Sequence, residues 1–396
     1  MRPLLRISAS NFRSLKDVDV ELGPLNVLVG PNGAGKSNFL DLIEFLGDSA
    51  RDDLTGALAR RGGMDRVRFR GANTERDIDI KVLANVTTHS SETAPDEYSL
   101  QFYTQRRTDG SILIRNEEFM FKRTRGPGRR ISVSGDSAEI MTGAKGHGPT
   151  KLPLRRDSLA LSTLRRLPPA QGGDEVEKFA NLFTTFRVFN VDVQAARRPG
   201  RIPEQPTALA ADASNLAQAI LHLVDNLQRY RDFLDDARAM IPGFLDLDFE
   251  PLGGDAPALA VKIIERGLSN GTYLADASFG TVRVLALLAL LYDADPPLLT
   301  CIEEIDHGIH PYVFDRLVER MREASERTQL LIATHSPALV SRLAAEELIV
   351  VERNEDGSTR LPAVDASTIR EKEEAYGGEL QLGELWFSGS LGGVPQ

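Results

Sequence analysis

The sequence is short of several things that would set its class. It has one cysteine, Cys301, in 396 residues, which excludes an internal disulfide and a cysteine zinc cluster. Cys301 lies inside an apolar run, the setting of a buried, inert thiol. Positive charge is not in excess: 47 basic against 57 acidic residues leave a net charge of −10. That argues against indiscriminate wrapping of nucleic acid and restricts any such contact to a local patch. No apolar run reaches membrane-spanning length, and the opening MRPLLRISASNFRSL carries no signal-peptide core, so a soluble, cytoplasmic chain with no membrane partner is expected. No internal repeat occurs at solenoid periods. What remains is globular, 41% hydrophobic and 26% charged, with length for two or three subdomains and a large core.

The most informative stretch is Gly30-Pro31-Asn32-Gly33-Ala34-Gly35-Lys36-Ser37. It fits the phosphate-binding pattern G-x-x-x-x-G-K-[ST]. A short apolar run, Leu25 to Val29, precedes it, and Asn38 to Leu46 follows with helical apolar spacing. Strand, glycine loop and helix are the context the pattern needs. Gly30, Gly33 and Gly35 permit backbone angles that let successive N–H groups converge on one anion, and the start of the helix adds to the attraction. Lys36 supplies a point charge for the β- and γ-phosphates, and the Ser37 hydroxyl a magnesium ligand. Asn32, Ala34 and Asn38 complete the expected ATP-binding loop.

Around this loop the chain reads as alternating strands and helices. Leu4 to Ile7 and Val18 to Leu22 form a first strand pair around Asn11 to Lys16. There Arg13 or Lys16 faces the nucleotide or, alternatively, is a solvated hairpin charge. Asp77 to Val86 alternates like a strand. From about Thr87 to Gly173 the chain is polar and weakly periodic, with strand-like pieces at Tyr98–Tyr103, Ser111–Ile114 and Glu118–Phe121. This is expected to be an antiparallel hairpin module with long loops. Arg106, Arg107, Arg115, Lys122, Arg123, Arg125, Arg129 and Arg130 cluster there. They read either as a patch for a phosphate backbone or as a solvated surface. Few aromatics are interleaved, which argues against base stacking. Pro199 to Pro206 reads as a loop, and Ser214 to Met240 as one long helix with Leu216, Ile220, Leu223, Leu227, Tyr230 and Leu234 on one stripe. Leu245–Phe249 and Leu259–Ile264 read as strands, and Val282–Tyr292 as a buried helix.

A second constellation lies downstream. The apolar strand Leu298 to Ile302 ends in Glu303-Glu304, and Leu330 to Thr334 ends in His335. Paired acids after an apolar strand, downstream of a phosphate loop, suggest that Glu303 helps hold Mg²⁺ and that Glu304 orients and deprotonates the attacking water. His335 at a neighbouring strand tip is placed to touch the γ-phosphate.

In this order, GPNGAGKS, ASFGT before an apolar helix, LLTCIEE and ATHS resemble the motifs of ABC-type ATPases. The opening NFRSLKDVDVELGPLNVLVGPNGAGKSNFLDLIEFL is similar to the RecF/SMC-like and OLD-like group of bacterial AAA-family proteins. The resemblance covers roughly residues 1–85 and 175–350. It implies an α/β P-loop head with a mixed-sheet lobe, a helical signature lobe and an antiparallel β-rich insert. It also implies that Ser278 and Gly280 belong to the signature motif, which contacts the γ-phosphate bound to the opposite subunit. His335 becomes the switch histidine, and Gln194, as the Q-loop glutamine, joins Ser37 and Glu303 at the magnesium site. There are departures. Phe279 and Thr281 replace the first glycine and the glutamine of LSGGQ, Glu303 replaces the usual aspartate, and Ile305-Asp306-His307-Gly308 differs from the common D-loop.

The expected organisation is an ATPase lobe in two parts, 1–86 and 270–351, a basic insert at 87–175, a helical lobe at 176–269 and a tail at 352–396. The expected function is an ATPase that forms a homodimer through an ATP–Mg²⁺ sandwich, serving DNA surveillance or anti-phage defence. DNA would contact the basic insert. The short stretch after His335 leaves any nuclease or toxin activity to a separate effector. A RecF-like repair ATPase, a transporter motor and a non-catalytic scaffold are the alternatives.

Overall fold

The computed structural model describes residues 2–71, 77–108, 110–123, 128–141, 149–156, 159–201, 208–253, 258–376 and 380–392. The chain opens with β1 (Leu4–Phe12), β2 (Leu15–Glu21), β3 (Leu25–Val29) and β4 (Ile78–Ala84). It continues with β5 (Asp96–Arg107), β6 (Gly110–Phe121), β7 (Arg129–Ser134), β8 (Ser137–Met141) and β9 (Thr150–Pro153). A single strand β10 (Arg187–Phe189) precedes a group formed by β11 (Gly200–Arg201), β12 (Phe244–Leu252), β13 (Ala258–Glu265) and β14 (Thr272–Tyr273). The last strands are β15 (Leu299–Ile302), β16 (Gln329–Thr334), β17 (Leu348–Val350), β18 (Glu352–Arg353) and β19 (Thr359–Arg360).

Two sheets dominate. One is antiparallel, in the order β2-β1-β4-β5-β6-β7-β8-β9. The other is parallel, in the order β10-β15-β16-β3-β17. The parallel strands are short apolar runs because both faces are covered. Successive side chains point to opposite faces, so the sheet separates two cores. Val27, Val29, Ile302, Ile332 and Val350 enter one, and Leu28, Cys301, Leu331 and Ile349 the other. Cys301 is fully buried, as its run implied, and burial pushes its thiol well up. All five strands run the same way, so the residues that follow them share one edge, where ligands of open α/β sheets bind.

The polar middle stretch is not a module on its own sheet. β5 to β9 extend the sheet that β1, β2 and β4 begin, with β4 paired to β5 along its length. The pieces Ser111–Ile114 and Glu118–Phe121 are one strand, β6. Its alternation also takes part of the basic cluster off the surface. Arg115, Glu117, Phe119 and Phe121 all point inward, and Arg115 is 1% exposed. The Arg115 guanidinium meets Glu117 Oε1 at 3.2 Å. Glu117 also accepts from the Tyr98 hydroxyl and the Ala160 amide. Arg129 is likewise inside, bonded to Glu175 at 2.6 Å and to the carbonyls of Pro169 and Ala170. Lys122 pairs with Glu97 and Arg130 with Glu118. Arg125 and the side chains of Arg106 and Arg107 lie outside the described residues, as does most of the loop 199–206. Of the cluster, Arg115 and Arg129 are thus interior, and Lys122 and Arg130 are paired at the surface.

The long helix expected over 214–240 is two, Leu216–Leu223 and Leu227–Met240. The Asn226 side chain accepts from the Arg229 amide and starts the second, an N-cap that ends the first register. The stripe breaks with it: Leu227 is 64% exposed.

Candidate functional site

The phosphate loop joins β3 to the helix Lys36–Arg51. Gly33 and Gly35 have φ of 79° and 117°, conformations open mainly to glycine. At Gly35 a Cβ would also lie 2.0 Å from Thr359 Oγ1, and at Gly30 a Cβ would lie 2.2 Å from the Val351 carbonyl oxygen. Lys36 is buried, and its Nζ donates to the carbonyls of Gly30 at 2.7 Å and Pro31 at 3.1 Å. Burial pushes its pKa down to about 8, against the fields of Asp306 and Glu304. His335 Nδ1 is 3.4 Å from the same ammonium. Burial and then Lys36 lower the His335 pKa, which keeps the ring neutral near pH 7.

Asn32, Gly33, Gly35, Lys36, Ser37, Asn38, Glu303, Glu304 and His335 line one cleft of about 400 Å³ at the carboxyl edge of the sheet. Ala34 is buried beneath the loop, its carbonyl accepting from Thr359. A neighbouring cleft of about 460 Å³ is lined by Arg13, Ser37, Asn38, Asn190 and Glu303 among others. Arg13, at φ 50°, is ion-paired with Asp41 of the loop's own helix. Gln194 belongs to neither cleft lining. It is exposed, on the short helix Val193–Ala196 that Asp192 caps. The strand stops at Phe189, so Asn190 is the residue that falls beside Ser37 and Glu303.

Glu304 has φ 47°, a left-handed conformation uncommon outside glycine. Its carbonyl accepts from Arg283 Nη2 at 2.6 Å, and Arg283 also reaches the carbonyls of Glu303 and Val191. Thr334 Oγ1 donates to Asp306 Oδ1 at 2.5 Å, fixing a carboxylate whose field reaches Lys36 and His335. Ser278 accepts from the Thr281 amide and caps the helix Phe279–Leu291. Ser278 and Gly280 do not line the cleft of their own chain. The two sequence departures touch each other: the Phe279 ring lies 5.3 Å from that of His307 and against Gly308, and His307 Nδ1 is 3.5 Å from Glu304 Oε2.

The sequence reading gave no site role to Arg283, Asp306 or Arg353. Arg353, on β18, lines the phosphate-loop cleft and donates to the Gly33 carbonyl at 2.8 Å. A lone arginine in an apolar run, Arg283, was the one available signal.

The residues suit a nucleotide with magnesium. A glycine loop, a lysine, a hydroxyl and a carboxylate converge on one cleft. Among the described residues no group of three or more His, Cys, Asp or Glu could hold a metal alone.

A phosphate loop at the carboxyl edge of a parallel sheet, with paired acids and a histidine on adjacent strands, defines the head of an ABC-type ATPase of the RecF/SMC/OLD group. The chain belongs to the family described as "AAA domain, putative AbiEii toxin, Type IV TA system", matched over residues 25–341. It is similar to an OLD nuclease of Thermus scotoductus, 54% identical over 46 residues, covering 11% of this chain and 9% of that protein. It is also similar to the DNA replication and repair protein RecF of Magnetococcus marinus, 41% identical over 76 residues, covering 18% and 20%. The chromosome partition protein Smc of Desulfitobacterium hafniense is 35% identical over 106 residues, covering 26% and 8%. The chain thus spans a fifth or less of the length of these relatives. Among solved structures, an Smc head bound to the C-terminal winged-helix domain of ScpA aligns with a TM-score of 0.55 at 14% identity, over 91% of this chain and 97% of that one. The fold is that of an SMC head. Among the described residues no helix is long and apolar enough to cross a membrane.

Proposed function

We propose that this chain binds ATP with magnesium and hydrolyses it, closing on a second copy of itself around the nucleotide. The observation that carries the reading is the convergence of Lys36, Ser37, Glu303, Glu304 and His335 on one cleft. Lys36 and the loop amides hold the β- and γ-phosphates. Ser37 and Glu303 hold the cation, which neutralises charge on the phosphate oxygens. Glu304 orients a water and takes its proton as the water oxygen attacks the γ-phosphorus; the bond to the β–γ bridging oxygen breaks, leaving ADP and phosphate. His335 donates to the γ-phosphate from its neutral ring. Ser278 and Gly280 of the second copy cover the other side of the nucleotide. The test is ATP turnover by the purified chain. Glu304→Gln should bind ATP with wild-type affinity, hydrolyse it at least about a hundredfold more slowly and accumulate as a dimer. Wild-type turnover by that variant would remove Glu304 as the base.

For the wider role we favour DNA surveillance or anti-phage defence with a separate effector. The names of the relatives, a nuclease, a repair protein and a chromosome partition protein, support contact with DNA. The dispersed charges of β6 and β7 do not favour the insert as its site. The similarity to RecF keeps a repair ATPase as the second reading. Salt-sensitive DNA binding by the ATP-bound dimer supports the DNA role, and its absence removes it.

A further inference from the structure

After β17 the chain passes Val351 and folds back as the β18–β19 hairpin against the phosphate loop. Thr359 is the hinge pin of that contact. Its amide donates to the Ser14 carbonyl at 2.7 Å, its hydroxyl donates to the Ala34 carbonyl at 2.8 Å, and the same hydroxyl is 2.7 Å from Ser14 Oγ. Asn38 Nδ2 donates to Ser14 Oγ at 2.6 Å. Lys16 bonds Asp356 at the hairpin tip. The hairpin, the β1–β2 turn and the phosphate loop are therefore one bonded unit.

Arg353 sits on this unit. Its Nη1 donates to the Gly33 carbonyl, and its side chain lines both the phosphate-loop cleft and an adjoining cleft of about 350 Å³ with Arg13, Ser14, Arg66 and Phe69. Three of the other cations here have acids: Arg13 pairs with Asp41, Lys16 with Asp356 and Arg360 with Glu352. Among the described residues Arg353 has no carboxylate partner. A guanidinium offers five N–H donors in a fixed fork, and one is used. The rest stand at the cleft on a scaffold that the Thr359 bonds hold in place.

We propose that Arg353 is a nucleotide-binding residue, a second cation that grips the phosphates from the C-terminal hairpin. This rests on the ATPase reading. Its free donors bind nucleotide oxygens while the Gly33 bond keeps the fork oriented, so nucleotide and hairpin stabilise one another.

The test uses the full chain with Arg353→Gln and Arg353→Lys, titrated with ATP and magnesium, and melting curves taken without nucleotide. Arg353→Gln should weaken ATP binding about tenfold, the scale of one charge-assisted hydrogen bond. Arg353→Lys should recover part of the loss, and the nucleotide-free melting temperature should match the wild type. Thr359→Val, which loosens the hairpin, should instead lower that melting temperature. If the wild type binds ATP and Arg353→Gln binds it equally well, this inference alone falls. It also falls if Arg353→Gln melts earlier than the wild type without nucleotide and lysine rescues nothing. If the wild type does not bind ATP, the ATPase reading falls and takes this one with it.

Discussion

Lys36 is 6% exposed, and its ammonium bonds two carbonyls of its own loop instead of a carboxylate. Burial disfavours the charged form and brings the pKa from 10.5 to about 8. In the unfolded chain the group keeps its ordinary value, so between those two pH values the unfolded state binds more protons. This lysine's contribution to stability therefore rises with pH across that window, and below it the buried charge is a standing penalty. Nucleotide binding has the opposite sign. A polyphosphate favours the ammonium, so above about pH 8 each ATP bound should bring a proton with it, and affinity should fall as pH rises. Calorimetric titrations at several pH values, in buffers of different ionisation enthalpy, read both. Flat affinity from pH 7 to 9.5 without proton uptake would count against Lys36 as the phosphate ligand. His335 shifts the same way, so near neutral pH its ring can offer a hydrogen bond and not a charge.

At the scale of elements, the helix Phe279–Leu291 does two things. Its apolar side chains fill the core, and Arg283, 2% exposed within it, fastens the Glu303–Glu304 turn. The guanidinium meets the carbonyls of Val191, Glu303 and Glu304 and holds Glu304 at positive φ. Arg283→Met keeps the volume but strips donors from these carbonyls, which should cost about 2–4 kcal/mol in urea unfolding. With Glu304 free to leave its conformation, turnover should fall roughly tenfold or more while ATP affinity changes little. Unchanged stability together with unchanged turnover would mean that the turn holds itself. Arg283 also shows what local sequence carries. The glycine loop, Glu303-Glu304 and His335 were legible because each motif is contiguous and follows an apolar strand. The partners of Arg283 are remote in sequence, and nothing near it announces them. Arg353 and Asp306 were given no site role for the same reason. Arg115 was placed in a surface cluster because a charged residue that is satisfied inside a sheet, here by Glu117, has the local composition of a surface strand. The split helix turned on a single side-chain oxygen, that of Asn226, which competes for a backbone amide inside an otherwise periodic stretch.

At the scale of the molecule, the phosphate-loop cleft is lined without the segment that begins at Ser278. Lys36 and Glu304 lie at the edge of the sheet, whereas Ser278 and Gly280 start a helix and do not line that cleft. Phe279 between them is 38% exposed, an apolar ring on a face that a second copy would cover. If two copies complete each other's sites, each site takes its phosphate loop from one chain and its signature serine from the other. Lys36→Ala and Ser278→Arg should then each abolish turnover alone, the first by losing nucleotide and the second by blocking closure while still binding ATP. Mixed in equal amounts, they should regain activity. A mixed pair contains one site with an intact loop from the Ser278→Arg chain and an intact signature from the Lys36→Ala chain. Random pairing makes half of the dimers mixed, each with one working site, so turnover should return to about a quarter of the wild-type rate if the sites act independently. Should the mixture stay inactive although both variants dimerise with wild-type chain, or should Ser278→Arg hydrolyse ATP at full rate by itself, catalysis would belong to the single chain and the shared site would be ruled out.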